Sequence, residues 1–462
     1  MKKLELYERY RRLTRREARG PRLVVGSPES LARGLRALLR DADNRILLLA
    51  DRNTAAAAPE LVNALAGCTA ETILPGTPPV VPEILISEEI ARKATESRAR
   101  GIVVLGGGAL TDLAKYAARV AGIDLISVPT AASVDAYTSE KSALRVDGYH
   151  STPEAKVPSA ILASPQIIEA APTALTLSGL GDLVAKLIAS LDWEVSSLIT
   201  GESFTRREAQ WSERAARQAL ARLRHAGLRE AAFAGLDSLL VTGRAMRLEG
   251  SSRPAASAEH TFAHLWEVAL EGEPTGDAPD AGAVGGTDTT TEPTDERIHY
   301  HGLLVTVAAR YVTVAYRWIA EQIAAGAKPH EPWPRREEAG RQSRVPADMA
   351  AFLEKMREES AGRVVNDRVV AERRALVERH RGTIVEIAHR TLSDAERALE
   401  SLAQAGIGAY LPLIPTHWVR RALEWVKYLR NRYSMFDLAF EMGWEQELLQ
   451  FMDERLESIG RS

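Results

Sequence analysis

Ile102-Val-Val-Leu-Gly-Gly-Gly-Ala-Leu-Thr-Asp-Leu-Ala-Lys115 reads as a buried strand, a glycine turn and the opening of a helix. Without Cβ atoms at Gly106, Gly107 and Gly108 the backbone can approach a diphosphate, and the N–H groups and dipole of the following helix favour its negative charge. The same turn can equally serve tight strand-to-helix packing. It is neither the G-x-G-x-x-G fingerprint nor a P-loop, since no Gly-Lys-Ser/Thr follows. Outward from it, short apolar runs at residues 23–26, 45–51, 71–74, 123–129 and 160–163 alternate with helical spacing at 31–39, 55–66 and 87–98. That alternation predicts βαβ units and a mostly parallel sheet covered on both faces. Residues 139–156 read as a hairpin or loop. Asp51 follows the strand at 45–50, where a carboxylate can accept from an adenosine ribose hydroxyl or act as the N-cap of the next helix.

From about residue 174 nearly every segment has period 3.6, so an α/β N-terminal part is followed by an all-α one. Residues 272–297 are rich in Gly, Pro, Thr and Asp and read as a flexible surface loop. The Pro- and charge-rich stretch 328–344 and the charge-laced helical stretch 354–386 read as solvated surface.

The 462 residues carry 59 Lys plus Arg against 62 Asp plus Glu, a formal charge of −3, so no net field steers the chain to nucleic acid or anionic lipid. A length of this kind suggests two or three domains. Cys68 is the only cysteine, which excludes an internal disulfide framework and a metal site built on several thiolates. Any metal site therefore uses His and carboxylate. The charged, helix-prone opening has no apolar run long enough for a signal peptide or membrane span, and the expectation is a cytoplasmic enzyme or binding protein.

Gly179-Leu-Gly-Asp182-Leu-Val-Ala-Lys186 reads as the start of an apolar helix with Asp182 in its first turn, where a carboxylate commonly caps. His260 and His264 stand four apart on one helix face, a spacing that can direct both imidazoles into one cavity, though two of ten histidines can also fall so by chance. His301 opens another apolar helix. Asp182, His260 and His301 together would make three ligands with an open position, the pattern of a catalytic divalent metal.

These segments, in this order, resemble the sn-glycerol-1-phosphate dehydrogenase family, within the larger group of iron-type alcohol dehydrogenases, glycerol dehydrogenase and dehydroquinate synthase. The resembling stretches are residues 106–116, 127–139, Ala171-Pro172, 179–186 with Asp192-Trp193, 250–260, His301-Gly302 and Arg430-Asn-Arg-Tyr-Ser434. The resemblance implies a dehydroquinate synthase-like architecture: a Rossmann-like NAD(P)-binding domain over 1–172 and a helical metal- and substrate-binding domain over 173–462. It implies that Asp182, His260 and His301 hold one divalent metal (Zn, Ni or Fe). It places Gly106, Gly107, Gly108, Thr111 and Asp112 along the NAD(H) or NADP(H) diphosphate and nicotinamide, with Thr130 and Ser133 near the cofactor. Asp135, His264 and Lys186 become the candidate catalytic side chains, with Asp135 also near the substrate.

The implied reaction is reversible reduction of dihydroxyacetone phosphate to sn-glycerol 1-phosphate, the headgroup precursor of archaeal-type ether phospholipids, by a homo-oligomer. Arg253, seven residues before His260, is the candidate phosphate ligand, with a surface salt bridge as its other reading. Asp51 would repel a 2′-phosphate and Arg52 would offset that. Ala136 stands where the phosphate-specific dehydrogenases usually have Gly, and Ala256 and Ala258 flank Ser257 where the family more often reads Ala-Ser-Gly. These departures bear on the substrate, so a polyol dehydrogenase acting on an unphosphorylated compound is the nearest alternative. A dehydroquinate synthase-like lyase and a non-catalytic dinucleotide-binding protein are the others.

Overall fold

Six strands form one sheet, parallel throughout, as the alternation of strands and helices predicts. The computed structural model describes residues 7–9, 20–40, 45–67, 69–74, 80–146, 149–272, 300–330, 366–429 and 432–461. Cys68, most of the charged opening and, beyond Gly272, the loop expected over 272–297 lie outside the described residues, as does most of 328–344. Of the stretch 354–386, residues from 366 onward are described, and they are helical as expected.

In chain order the sheet half comprises β1 (Arg22–Val25), α1 (Pro28–Arg40), β2 (Ile46–Leu49), α2 (Arg52–Ala57), α3 (Pro59–Leu65), β3 (Thr69–Ile73), α4 (Ile84–Glu96), β4 (Gly101–Gly106), α5 (Gly108–Val120) and β5 (Asp124–Pro129). A small hairpin of β6 (Leu144–Val146) and β7 (Tyr149–Ser151) precedes β8 (Ala160–Ala163). The strand order is β1-β8-β5-β4-β2-β3. Consecutive apolar residues in β2 serve both faces: Ile46 and Leu48 pack with Leu35 of α1 and Leu61 of α3, whereas Leu47 and Leu49 pack with Ile90 of α4 and Leu113 of α5. The stretch 55–66 forms two helices instead of one. Pro59 has no N–H and disfavours αR at the residue before it, and Ala58 accordingly sits at φ −139°, ψ 53°.

The chain leaves β2 for β3 in one direction and β4 for β5 in the other, so the carboxyl ends of β2 and β4 flank the point where the strand order reverses. In open parallel sheets a crevice forms there, and ligands bind in it. Asp51, after β2, and Gly107, after β4, both line the main cleft.

After β8 the described chain is helical: α6 (Pro165–Glu169), α7 (Thr173–Thr200), α8 (Arg206–Glu249, broken at Gly227), α9 (Ala258–Gly272), α10 (His301–Ala325), α11 (Asp367–Arg379), α12 (Arg381–Gln404), α13 (Thr416–Leu429), α14 (Met435–Glu441), α15 (Glu445–Asp453) and α16 (Leu456–Arg461). α7 and α10 are long and apolar enough to cross a membrane, but 89% and 78% of their most apolar windows are buried inside the protein. They are the centre of the helical core, which explains an apolar character all round.

Asp192 on α7 ties four elements together. It accepts hydrogen bonds from Ser257 ahead of α9, from Tyr316 of α10 at 2.7 Å and from the Met435 N–H of α14 at 2.8 Å. Burial pushes its carboxyl up to about 7 against these three donors. A folded-state value above the unfolded one means that the native carboxyl keeps its proton while the unfolded one releases it. This group therefore costs stability increasingly as pH rises from about 4 to about 7. An Asn here accepts from Met435 and donates to the two hydroxyls without carrying that cost. The expected result is that the thermal midpoint of Asp192→Asn gains on that of the native protein between about pH 5 and about pH 8. A constant difference across that range would show that Asp192 is ionised in the fold at both ends.

Candidate active site

α7 and α10 approach closely where both lack side chains. A Cβ at Gly181 would lie 2.7 Å from the Gly302 carbonyl oxygen and overlap the Thr306 hydroxyl, and one at Gly302 would lie 2.6 Å from the Ser178 carbonyl carbon. The Gly302 N–H donates to the Ser178 hydroxyl at 3.2 Å. This contact brings Asp182, one residue beyond Gly181, to His301, the first residue of α10. Asp182 is therefore inside α7, which begins at Thr173, and the expectation of a first-turn cap is corrected. Of the glycines that resemble a helix start, Gly181 is a small residue of this helix crossing, and Gly179 instead admits the Ala132 carbonyl of the segment after β5.

α9 supplies His260 from the third side. Ligand atoms of Asp182, His260 and His301 all lie within 4.8 Å of one another, with Asp182 Oδ1 3.3 Å from His260 Nε2. Two ligands about 2.1 Å from a tetrahedral ion stand about 3.4 Å apart, so this spacing suits a small divalent metal. The second-nitrogen contacts agree. His260 Nδ1 is 2.9 Å from Glu259 Oε1 and His301 Nδ1 is 2.7 Å from Glu267 Oε1, leaving each Nε2 to face the cluster. One carboxylate and two imidazoles, with no thiolate, fit Zn²⁺, Fe²⁺ or Ni²⁺.

Lys186, fully buried, sits 2.8 Å from both Asp182 and Asp135. Burial would raise the Asp182 carboxyl, but the Lys186 ammonium and the His260 imidazole more than offset that and hold it below the usual range. The same carboxylates hold the Lys186 ammonium charged despite burial that favours its neutral form. Asp135 lies on the cleft wall and Lys186 behind it. His264 is also on that wall, its ring stacked 5.1 Å from that of His301.

The cleft has a volume of about 1330 Å³ and runs from this cluster to the carboxyl ends of β2 and β4. Gly107, Gly108, Asp112, Thr130 and Ser133 line it. Gly107 is the N-cap of α5 without a side-chain cap, so the helix N-terminus opens onto the cleft with unsatisfied amides. A Cβ at Gly107 would meet only Ser133 Oγ at 3.4 Å, whereas one at Gly108 would press 2.6 Å against Val134. Gly106 and Thr111 stand behind the wall: the Gly106 position is closed by Leu110, and Thr111 is fully buried. Asp112 is buried beside Lys115 at 3.5 Å, and burial pushes its carboxyl up to about 6 against that ammonium. Asp51 takes the N-cap reading and also faces the cleft. It caps α2 in a capping box with Thr54, accepting from the Thr54 N–H at 2.8 Å, and it lines the cleft.

Arg253 is corrected. Glu202 clasps its guanidinium through Nε at 2.7 Å and through Nη2, while Nη1 donates to the Tyr433 carbonyl, and the side chain is buried off the cleft wall. A guanidinium already matched by a carboxylate in a buried pair is a structural clasp. Arg119, Arg145, Arg247 and Arg432 are on the wall, and Arg432 is held by Ser252 Oγ at 2.8 Å and the Ala256 carbonyl at 3.1 Å. Arg432 belongs to the Arg430-Asn-Arg-Tyr-Ser434 stretch, to which the sequence alone assigns no role. Glu259 and Glu267 carry no motif of their own, although Glu267 follows His260 by seven residues and His264 by three, the spacing of one helix face.

Residues 27–172 match the family model of iron-containing alcohol dehydrogenases. The chain is 35% identical over 191 residues to the glycerol-1-phosphate dehydrogenase [NAD(P)+] of Metallosphaera sedula, covering 40% of this chain and 54% of that relative. It is 36% identical over 208 residues to that of Aeropyrum pernix, covering 43% and 57%. The chain thus spans just over half the length of these curated relatives. Among solved structures, an archaeal halo-thermophilic Red Sea brine pool alcohol dehydrogenase superposes with a TM-score of 0.53 at 14% identity, covering 94% of this chain and 97% of that one. Maleylacetate reductase from a Rhizobium strain gives 0.51 at 17% identity, covering 93% and 95%. These two share the fold. Residues 27–172 are thus similar to iron-containing alcohol dehydrogenases and the aligned portion to the glycerol-1-phosphate dehydrogenases, while the parallel sheet with its helical half is the fold shared with the two solved structures.

Proposed function

We propose that this chain is a divalent-metal-dependent, NAD(P)-linked dehydrogenase that interconverts dihydroxyacetone phosphate and sn-glycerol 1-phosphate, with a nucleotide domain over 1–172 and a helical domain over 173–462. The observation that carries the reading is that the Asp182, His260 and His301 cluster and the Gly107-Gly108 turn open onto one cleft. When bound, the metal supplies a Lewis acid at the substrate oxygen and the nicotinamide supplies or accepts the hydride.

The chain's own residues do the rest. Lys186 bridges Asp182 and Asp135 and offsets one of their two negative charges, so the pair repels an anionic ligand less than two bare carboxylates would. Asp135 and His264, on the wall beside the cluster, are placed to hold or pass a proton at the substrate hydroxyls. The α5 N-terminus receives the diphosphate, and Asp51 stands at the ribose end.

Arg432 replaces Arg253 as the proposed phosphate ligand, since it is the arginine on the wall that is anchored to the loop leading into His260. One charge-assisted hydrogen bond is worth about 1.5–3 kcal/mol, or about 10–100-fold in affinity. Arg432→Ala is therefore expected to raise KM for dihydroxyacetone phosphate by about that factor and to leave turnover of dihydroxyacetone nearly unchanged. Equal losses on both substrates would remove Arg432 from the phosphate. The commitment of Arg253 to Glu202 favours the second reading, an unphosphorylated polyol substrate. Following NADH oxidation with each ketone decides between them: activity on dihydroxyacetone alone sinks the first reading.

A further inference from the structure

Each imidazole of the cluster has a carboxylate at its second nitrogen, but the two carboxylates are not equivalent. Glu259 serves His260 alone. It is adjacent in sequence, fully buried, and fixed by the Ser257 N–H at 2.8 Å, so it belongs to the start of α9. Glu267 serves two rings on two helices. Its Oε2 is 2.8 Å from His264 Nδ1, one turn back on α9, and its Oε1 is 2.7 Å from His301 Nδ1, at the first position of α10. The two imidazoles lie 23° from parallel.

Each carboxylate oxygen of Glu267 faces one ring nitrogen at hydrogen-bond distance, and a carboxylate oxygen accepts, so both Nδ1 atoms carry hydrogens. In a neutral ring that leaves the lone pair on Nε2, which for His301 is the nitrogen on the Asp182 side. No covalent route short in sequence holds His301 against α9, since 33 residues separate it from Glu267. The Glu267 carboxylate is a polar link between the two helices at this point. We propose that Glu267 is a shared positioning residue that sets the tautomer and orientation of His301 as a metal ligand and of His264 as a cleft-wall group. The inference rests on the metal site proposed above. A different use of the same atoms is a second metal, because His264, Glu267 and His301 also bring ligand atoms within 4.8 Å of one another. A carboxylate that already accepts from both rings fits the positioning role better.

The test is zinc binding to metal-stripped protein, measured by competition with a chromogenic chelator, with stoichiometry read by elemental analysis. Glu267→Gln keeps the shape but offers one acceptor for two donors, and its zinc affinity is expected to fall about 10–100-fold at unchanged stoichiometry. His264→Ala, which removes the ring outside the proposed ligand set, is expected to change zinc affinity by less than about threefold. The thermal midpoint of each metal-free variant checks folding. If Glu267→Gln fails to fold, Glu267→Asp, whose carboxylate is drawn back by one methylene, is expected to show the same loss in part. Native zinc affinity in the folded Gln or Asp variant overturns the positioning role and leaves the metal site standing. Two zinc ions in the native protein with one lost in Glu267→Gln overturns it in favour of a second site. An Asp182→Asn protein that binds zinc as tightly as the native one instead overturns the metal site itself.

Discussion

Asp182→Asn and His260→Ala are expected to lower kcat by about three orders of magnitude while leaving the dissociation constant for NADH within about twofold. The separation follows from where the groups sit. The α5 N-terminus and the Gly107-Gly108 turn belong to the sheet half, whereas Asp182 and His260 are carried by α7 and α9. Asp182→Asn removes the charge without removing the shape. Lys186 keeps Asp135 at 2.8 Å and can still donate to the Asn oxygen, so α7 has no unpaired buried ammonium to destabilise it. The loss is confined to the charge that would hold the ion. Three measurements on one preparation check it: metal content, NADH titration by fluorescence, and turnover. Metal retained undiminished in both variants would refute the ligand set, and loss of NADH binding in step with turnover would show that the two halves of the cleft are not independent.

The parts of this site that the sequence revealed and the parts it hid differ for physical reasons. β2 and β4 were readable because strands buried on both faces are apolar at consecutive positions, and Ile46 to Leu49 and Gly101 to Gly106 show that pattern without interruption. The histidine pair was readable because helix geometry puts residues four apart on one face. The position of Asp182 was not. Glycines at 179 and 181 look the same in sequence whether they start a helix or admit neighbouring backbone, and only their partners, Ala132 at Gly179 and Gly302 at Gly181, distinguish the two.

Arg253 was misplaced because seven residues from His260 is proximity along the chain only. The guanidinium turns to Glu202, fifty-one positions earlier, which periodicity cannot report. Glu267 was legible in principle, being on the His260 face of α9. What the sequence could not supply was its second partner, His301, on the next helix.

The crossing that brings Asp182 to His301 leads to the second large effect. Gly302→Ala is expected to destabilise the protein by about 3 kcal/mol, at or above the upper end of usual overpacking costs, and to weaken zinc binding as well. The new Cβ meets the Ser178 carbonyl group, which is backbone and cannot rotate aside. α7 and α10 must therefore separate, at the centre of the largest core cluster and at the turn that holds both Asp182 and His301. Gly181→Ala is expected to behave alike, softened to the extent that the Thr306 hydroxyl can turn away. Gly34→Ala makes the same chemical change on the exposed face of α1, where a Cβ has nothing within 4 Å, and should stabilise by about 0.5–1 kcal/mol through helix propensity. Opposite signs for one substitution type at two helical glycines isolate close approach as the cause. Denaturant midpoints with zinc titrations measure both effects, and a Gly302→Ala protein with the native midpoint and native zinc affinity would mean that the crossing can open without disturbing the site.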